Sequence, residues 1–174
     1  MPSQRVLDSE PMVGSRHEWA HDGRTTTFTW VEDGEHDGRE PARVYALAFD
    51  EAGRILLVGD GRHDQEWWLP GGGVEPGETA DEALRRELVE EAGASVDALD
   101  LLAYRRVEDT VDGEHVIATY WARIRMKSSF EPSHEITHHL LVEPAEFLDN
   151  LWWSDDPAAA RLLKLANDRN DMSG

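Results

Sequence analysis

The stretch GGGVEPGETADEALRRELVEEAG, Gly71–Gly93, constrains this chain more than any other. Its run of glycines gives backbone that can approach neighbours closely and adopt φ > 0. Thr79 with Glu82 three positions later is a capping box. Ala80, Leu84, Leu88 and Ala92 recur every four residues, and Gly93 is a natural C-cap. The spacing predicts a helix over 79–92 with one apolar stripe. On that helix Glu87, Glu90 and Glu91 stand at i, i+3 and i+4, so all three project from one face, where like charges repel. A solvated acidic face usually alternates Glu with Lys; here the nearby basic residues are Arg85 and Arg86. Carboxylates clustered in this way suit a hard divalent cation with oxygen ligands, Mg²⁺ or Mn²⁺. The chemistry they point to is metal-assisted attack on a phosphate ester or anhydride.

The rest of the chain reads as strands, a hairpin and closing helices. TTTFTWVE (Thr25–Glu32) is β-rich, and a polar loop follows to Glu40. Arg43–Asp50 and Arg54–Asp60 form a hairpin, and Glu66–Leu69 is a short strand stopped by Pro70. Leu101–Val111 and Glu114–Met126 flank Asp112-Gly113, a strong hairpin signal. Pro144–Leu151 and Pro157–Ala166 are predicted helices, each with proline in its first turn. The expected fold is α/β (α+β) with a mixed β-sheet. Residues 1–40 are expected to be an N-terminal extension carrying a β-hairpin, and residues 41–174 the main part of a single globular unit.

Two His-Glu-x-x-His matches, HEWAH (His17–His21) and HEITH (His134–His138), raise the question of a zinc protease. That chemistry needs both histidines on one face of a helix. HEITHHLLV follows Pro132, carries β-branched Ile136 and Thr137, and reads as a loop entering a strand. HEWAH precedes Asp22-Gly23 and reads as the first arm of a hairpin. Histidines four apart on a strand are separated by about 13 Å, too far to share one ion. Leu141 stands where the extended protease motif requires glycine. Surface histidines are the better reading of both matches.

The segment Gly71–Gly93 resembles the Nudix box of the Nudix hydrolases. The family's fixed positions fall on Gly72, Glu78, Arg86, Glu87, Leu88, Glu90, Glu91 and Gly93, and only the final large aliphatic is replaced, by Ala94. The resemblance implies an α/β/α sandwich and hydrolysis of a nucleoside diphosphate linked to some group X. It implies Glu87, Glu90 and Glu91 as metal ligands, helped by the Gly72 carbonyl. It implies Arg86 as the residue orienting the carboxylates and Glu78 as support for the loop. A general base is implied among the box glutamates or on a later acidic loop, where the candidate is Glu135. The alternatives are an ADP-ribose or nucleotide-sugar pyrophosphatase, and a module that binds nucleotides without cleaving them; intact glutamates argue against the last.

Substrate marks outside the box are sparse. Trp67 or Trp68 is a candidate to stack a nucleobase, and alternation along a strand allows at most one of them to do so; Trp68 is the candidate taken here. Arg54, Arg105 and Arg123 are candidates for phosphate contacts, against the commoner role of an ordinary surface arginine. The expected partner is a small nucleotide. Whether the chain pairs as a homodimer stays open.

The charge excludes other partners. Asp and Glu total 36 against 17 Lys and Arg, a formal net charge of -19, and only Lys127 and Lys164 are lysines. So acidic a surface repels nucleic acid polymers and anionic membranes. No apolar run is long enough to span a bilayer, the first residues are polar, and cysteine is absent, so a cytoplasmic setting is expected. The acidity fits plain solubility or a salt-accumulating source. The second reading has a direct test, because salt screens self-repulsion. The melting temperature should rise clearly as KCl goes from dilute to molar, whereas a flat profile leaves solubility alone.

Overall fold

The computed structural model describes residues 13–31, 38–61, 66–128 and 138–173. Its strands are β1 (Arg16–His21), β2 (Arg24–Val31), β3 (Arg43–Phe49), β4 (Ile55–Gly59), β5 (Gly71–Gly73), β6 (Ala94–Asp109), β7 (Gly113–Met126) and β8 (His138–Val142). The helices are α1 (Ala80–Ala92), α2 (Phe147–Asn150) and α3 (Pro157–Met172). The strands form one sheet in the order β1-β2-β6-β7-β3-β4-β8, with β5 beside the start of β3. β3 runs parallel to β7 and the other pairs are antiparallel, so the sheet is mixed.

Side-chain alternation puts a separate apolar layer on each face. On one face Val44, Ala46, Ala118 and Ala122 pack against Ala83, Leu84, Leu88 and Ala92 of α1. On the other, Leu47, Phe49 and Trp121 pack against Phe147 of α2 and Ala159, Leu162 and Ala166 of α3. The result is an α/β/α sandwich. Leu84 and Leu88 are fully buried, each contributing about 1.5–3 kcal/mol through burial. Among the described residues no helix is long and apolar enough to cross a membrane.

The caps of α1 are those the sequence predicts. The Thr79 hydroxyl accepts from the Glu82 N–H, the Glu82 carboxylate accepts from the Thr79 N–H, and Gly93 takes φ 61°. Several boundaries differ from expectation. Glu66–Leu69 is not a full strand: Trp68 bridges Val58 and Trp67 bridges Leu151, and Pro70, which lacks an N–H, follows at once. β6 starts directly after Gly93 and carries two bulges, between Val96 and Ala98 and between Leu101 and Ala103. Pro144–Leu151 divides into a 3₁₀ turn at Pro144–Glu146 and the single turn α2. α3 continues past Ala166 to Met172, where Arg169 bonds Asp100 and Ser173.

β1 and β2 form a hairpin through Asp22-Gly23, and β2 extends the sheet by pairing with β6. Asp109 ties this join. Its carboxylate accepts from the Thr26 hydroxyl, Arg24 Nε and the N–H groups of Val111 and Asp112. Burial alone would raise its pKa; these donors outweigh burial and hold the carboxyl below the usual range. HEWAH therefore lies on a strand, and His138 opens β8 opposite Gly59. His134 and Glu135 lie outside the described residues.

The start of β3 sits tightly on the glycine turn. Gly71 has φ 146°, and a Cβ there would run into the Val44 carbonyl and lie 2.7 Å from Tyr45 Cα. Gly73, next but one, has open space on its Cβ side. Gly71→Ala should cost more than about 4 kcal/mol, and Gly73→Ala about 1 kcal/mol or less. Urea midpoints of the two variants check this.

Candidate active site

α1 and the glycine turn meet at the mouth of a cavity of about 1420 Å³. Its wall includes Gly71, Gly72 and Gly73 of β5, and Glu87, Glu90 and Glu91 of α1. A Cβ at Gly72 would lie 2.6 Å from the Glu87 carboxyl carbon, so a larger residue there would push the Glu87 carboxylate aside. The Gly71 N–H donates to Glu91 at 2.8 Å.

Arg86 joins loop to helix. Its Nε and Nη2 each donate to the Glu78 carboxylate at 3.0 Å, Nη2 also donates to the Gly73 carbonyl at 2.9 Å, and Nη1 reaches Glu87 at 2.8 Å and Glu90 at 3.3 Å. Glu78 foremost, against the cost of burial and with help from Glu87, raises the Arg86 pKa still further above its ordinary value. The same pairing, with the Glu75 N–H, holds Glu78 below the carboxylate range.

Glu91 behaves differently. Burial pushes its pKa up to about 8, and repulsion from Glu87 and Glu90 adds to this against the Gly71 N–H and Arg43. It is therefore largely protonated at neutral pH. A carboxyl forced to hold a proton beside two further carboxylates is a site short of positive charge. As the side chains stand, Glu87 and Glu90 engage Arg86 and Glu91 engages Gly71. Among the described residues no three His, Asp or Glu side chains gather on one point as a metal site. By donor chemistry the set fits a hard dication: three carboxylate groups on one helix face and a carbonyl-bearing turn with no side chain in the way.

The remaining candidates separate. Trp68 lines the cavity, 6.4 Å from the Trp152 ring, while Trp67 packs into the core layer on the α3 side. Arg54 does not line the cavity. The β3–β4 turn holds its guanidinium on Asp50, at 2.9 Å from Nε and 2.7 Å from Nη2. Arg123 is likewise elsewhere, over Trp121 with Nη1 on the Ser173 carbonyl. Arg105 is the reverse case. It lines the cavity and is 8% exposed, so the reading as an ordinary surface arginine fails. The hairpin contributes His17, Trp19, Thr26 and Phe28 to the wall; sequence spacing singled out His17 only as part of a zinc-type match and the other three not at all. Only the pairing of β2 with β6 brings them here.

The NUDIX domain family model matches residues 39–163, and the chain belongs to that family. It is 43% identical over 63 residues to the RNA pyrophosphohydrolase of Dinoroseobacter shibae (34% of this chain, 38% of the relative). It is 40% identical over 62 residues to the human 8-oxo-dGDP phosphatase NUDT18 (34% of this chain, 19% of the relative). The matched stretch thus spans well under half the length of these curated relatives. The fold resembles the Bacillus subtilis pyrophosphohydrolase BsRppH, with a TM-score of 0.66 at 24% identity over 88% of this chain and 97% of that one. It also resembles the NUDIX domain of Shewanella oneidensis NrtR, complexed with ADP ribose, with a TM-score of 0.58 at 19% identity over 79% and 93% of the two chains.

The Glu91 shift has a consequence for the metal-free protein. A carboxyl whose folded pKa lies above its unfolded value contributes stability at low pH that is lost as pH rises, here between about 4.5 and about 8. Glu91→Gln keeps an acceptor for the Gly71 N–H and removes the titration. Its melting temperature should exceed that of the unmutated protein by a margin that grows from pH 5 to pH 8 and then levels. In a domain of this size each kcal/mol is worth about 2–4 °C. A margin constant with pH contradicts the assignment.

Proposed function

We propose that this chain hydrolyses a diphosphate linkage in a nucleoside diphosphate joined to a group X. The observation that carries the reading is the meeting of Glu87, Glu90, Glu91 and the Gly71–Gly73 turn on one wall of a large cavity, in a chain of the NUDIX family. The relatives named as pyrophosphohydrolases and as a phosphatase support the same class of reaction.

Glu87, Glu90 and Glu91, with the Gly72 carbonyl, would hold Mg²⁺ or Mn²⁺. Such an ion neutralises the diphosphate, polarises the phosphorus and makes water a better nucleophile. The chain's own residues do the rest. Arg86 fixes Glu87 and Glu90 against the loop, so the carboxylates are placed before substrate arrives. Glu78 holds Arg86 in that position by its two-point contact. Glu91, with its pKa near 8 before any cation binds, exchanges a proton close to neutral pH. A box glutamate or Glu135 takes the proton of the attacking water. Trp68 offers a ring face to a nucleobase beside Trp152.

The test is phosphate release from a panel of dNTPs, nucleotide sugars, ADP-ribose and dinucleoside polyphosphates with Mg²⁺. Glu91→Gln should lower kcat on the best substrate by at least about 10²-fold while the protein remains folded. Glu135→Gln should lower kcat more than it raises KM, as expected of a group acting in the transition state. The His134→Ala/His138→Ala double variant should keep its turnover. A dead double variant, or activity abolished by a zinc-selective chelator, makes zinc the working metal and overturns the reading.

A further inference from the structure

The half of the cavity farthest from the glutamates is built around Arg105. It is buried, yet its guanidinium makes no hydrogen bond or ion pair with any described residue, and its Nε has no partner. Three rings enclose it instead: Trp30 at 4.9 Å, Phe28 at 5.2 Å and Trp153 at 5.2 Å from ring centroid to the guanidinium carbon. Ring faces attract a cation but do not replace the acceptors its N–H groups lose on leaving water. Burial lowers the pKa of Arg105, while Tyr45 and Asp156 oppose this from a distance. A buried cation without an acceptor is costly. An anion entering the cavity would supply what is missing.

Position decides which anion. In the sheet Arg105 pairs with Ile117, Ile117 with Arg43, and Arg43 with Gly73. That is three strand spacings, about 14 Å of backbone separation. A group at Arg105 is thus distinct from the diphosphate at the glycine turn. The cavity, about 1420 Å³, is roomier than the 300–1,000 Å³ or so typical of small-molecule sites, so both can be held at once. Trp19, Trp68 and Trp152 flank the same space, with ring centroids 6.1 and 6.4 Å apart in successive pairs.

We propose that Arg105 anchors a second nucleotide subsite, its guanidinium pairing with a phosphate while Trp19 and Trp152 receive its base and Trp68 stays with the first. This rests on the hydrolase reading and deepens it: the group X of the substrate carries a phosphorylated nucleoside of its own. The net charge of -19 disfavours a polynucleotide, so X belongs to a small molecule.

The subsite is tested without turnover. AMP and adenosine both lack a diphosphate, so neither is a substrate, and in metal-free protein the carboxylates of α1 repel the AMP phosphate from the other half. Titration followed by calorimetry and tryptophan fluorescence should show AMP binding at least about tenfold more tightly than adenosine, the yield of one charge-assisted contact. Arg105→Met should bring the two ligands within about twofold of each other. Arg105→Lys keeps the charge without the planar fork and should reduce the preference without erasing it. Should the Met variant fail to fold, the Lys variant alone decides. Equal binding of AMP and adenosine by the unmutated protein overturns the proposal, as does a preference undiminished in the variants. Loss of hydrolysis with the AMP preference intact counts against the hydrolase reading and leaves the subsite standing.

Discussion

The contact on which the site depends is the guanidinium of Arg86. One planar group holds Glu78 in a two-point pair, reaches Glu87 and Glu90, and takes the carbonyl of Gly73. Only arginine has enough donors, rigidly arranged, to do this from one position. The contact joins the two parts that sequence places side by side: a glycine turn with no side chains to fix it, and a helix face whose carboxylates repel. Without it, Glu87 and Glu90 would lose the cation set between them, and the turn would lose its link to α1. Arg86 uses its donors on these partners, and burial, with repulsion from Glu87 and Glu90, leaves Glu91 to hold a proton.

The same cavity shows opposite electrostatic deficits at its two ends. At the α1 end Arg86 takes Glu87 and Glu90, while Glu91 has Arg43 at a distance and holds a proton. At the hairpin end Arg105 has three aromatic rings and, among the described residues, no carboxylate in hydrogen-bond or ion-pair contact, Asp156 acting on it only from a distance. A folded chain with Asp and Glu in twofold excess could have paired Arg105 internally, and the described residues do not do so. Both deficits make sense if the cavity is completed from outside, by a cation at one end and an anion at the other. The sheet makes this possible. β2 extends it beyond the residues of the family match, and β5 pairs with the start of β3, so strands of one sheet carry residues of both ends.

The box helix was legible because its signals are local. Thr79, Glu82 and Gly93 each act within four residues of their own position, and the i, i+3, i+4 spacing of the glutamates is helix geometry itself. The hairpin at Asp112-Gly113 was legible for the same reason, although Asp109 moves the end of β6 back by capping the turn. Arg105 was misread as surface because its environment is made by residues distant in sequence: Phe28 and Trp30 from β2, and Trp153 from the segment before α3. No spacing rule connects them. Arg54 erred the other way, since an arginine beside an acidic turn residue looks free in sequence, but Asp50 takes it in the fold. His-Glu-x-x-His at His17 misleads only if the spacing is read without the strand that carries it.

The central claim is that α1 and the glycine turn are built for a divalent cation. Calorimetric titration of the metal-free protein with Mn²⁺ tests it most directly, in the unmutated chain and in Glu87→Gln and Glu90→Gln. The account predicts saturable binding that releases a proton near pH 7, from Glu91, and that weakens at least about tenfold in either variant. Binding of the same strength in all three proteins, or no binding at all, contradicts it.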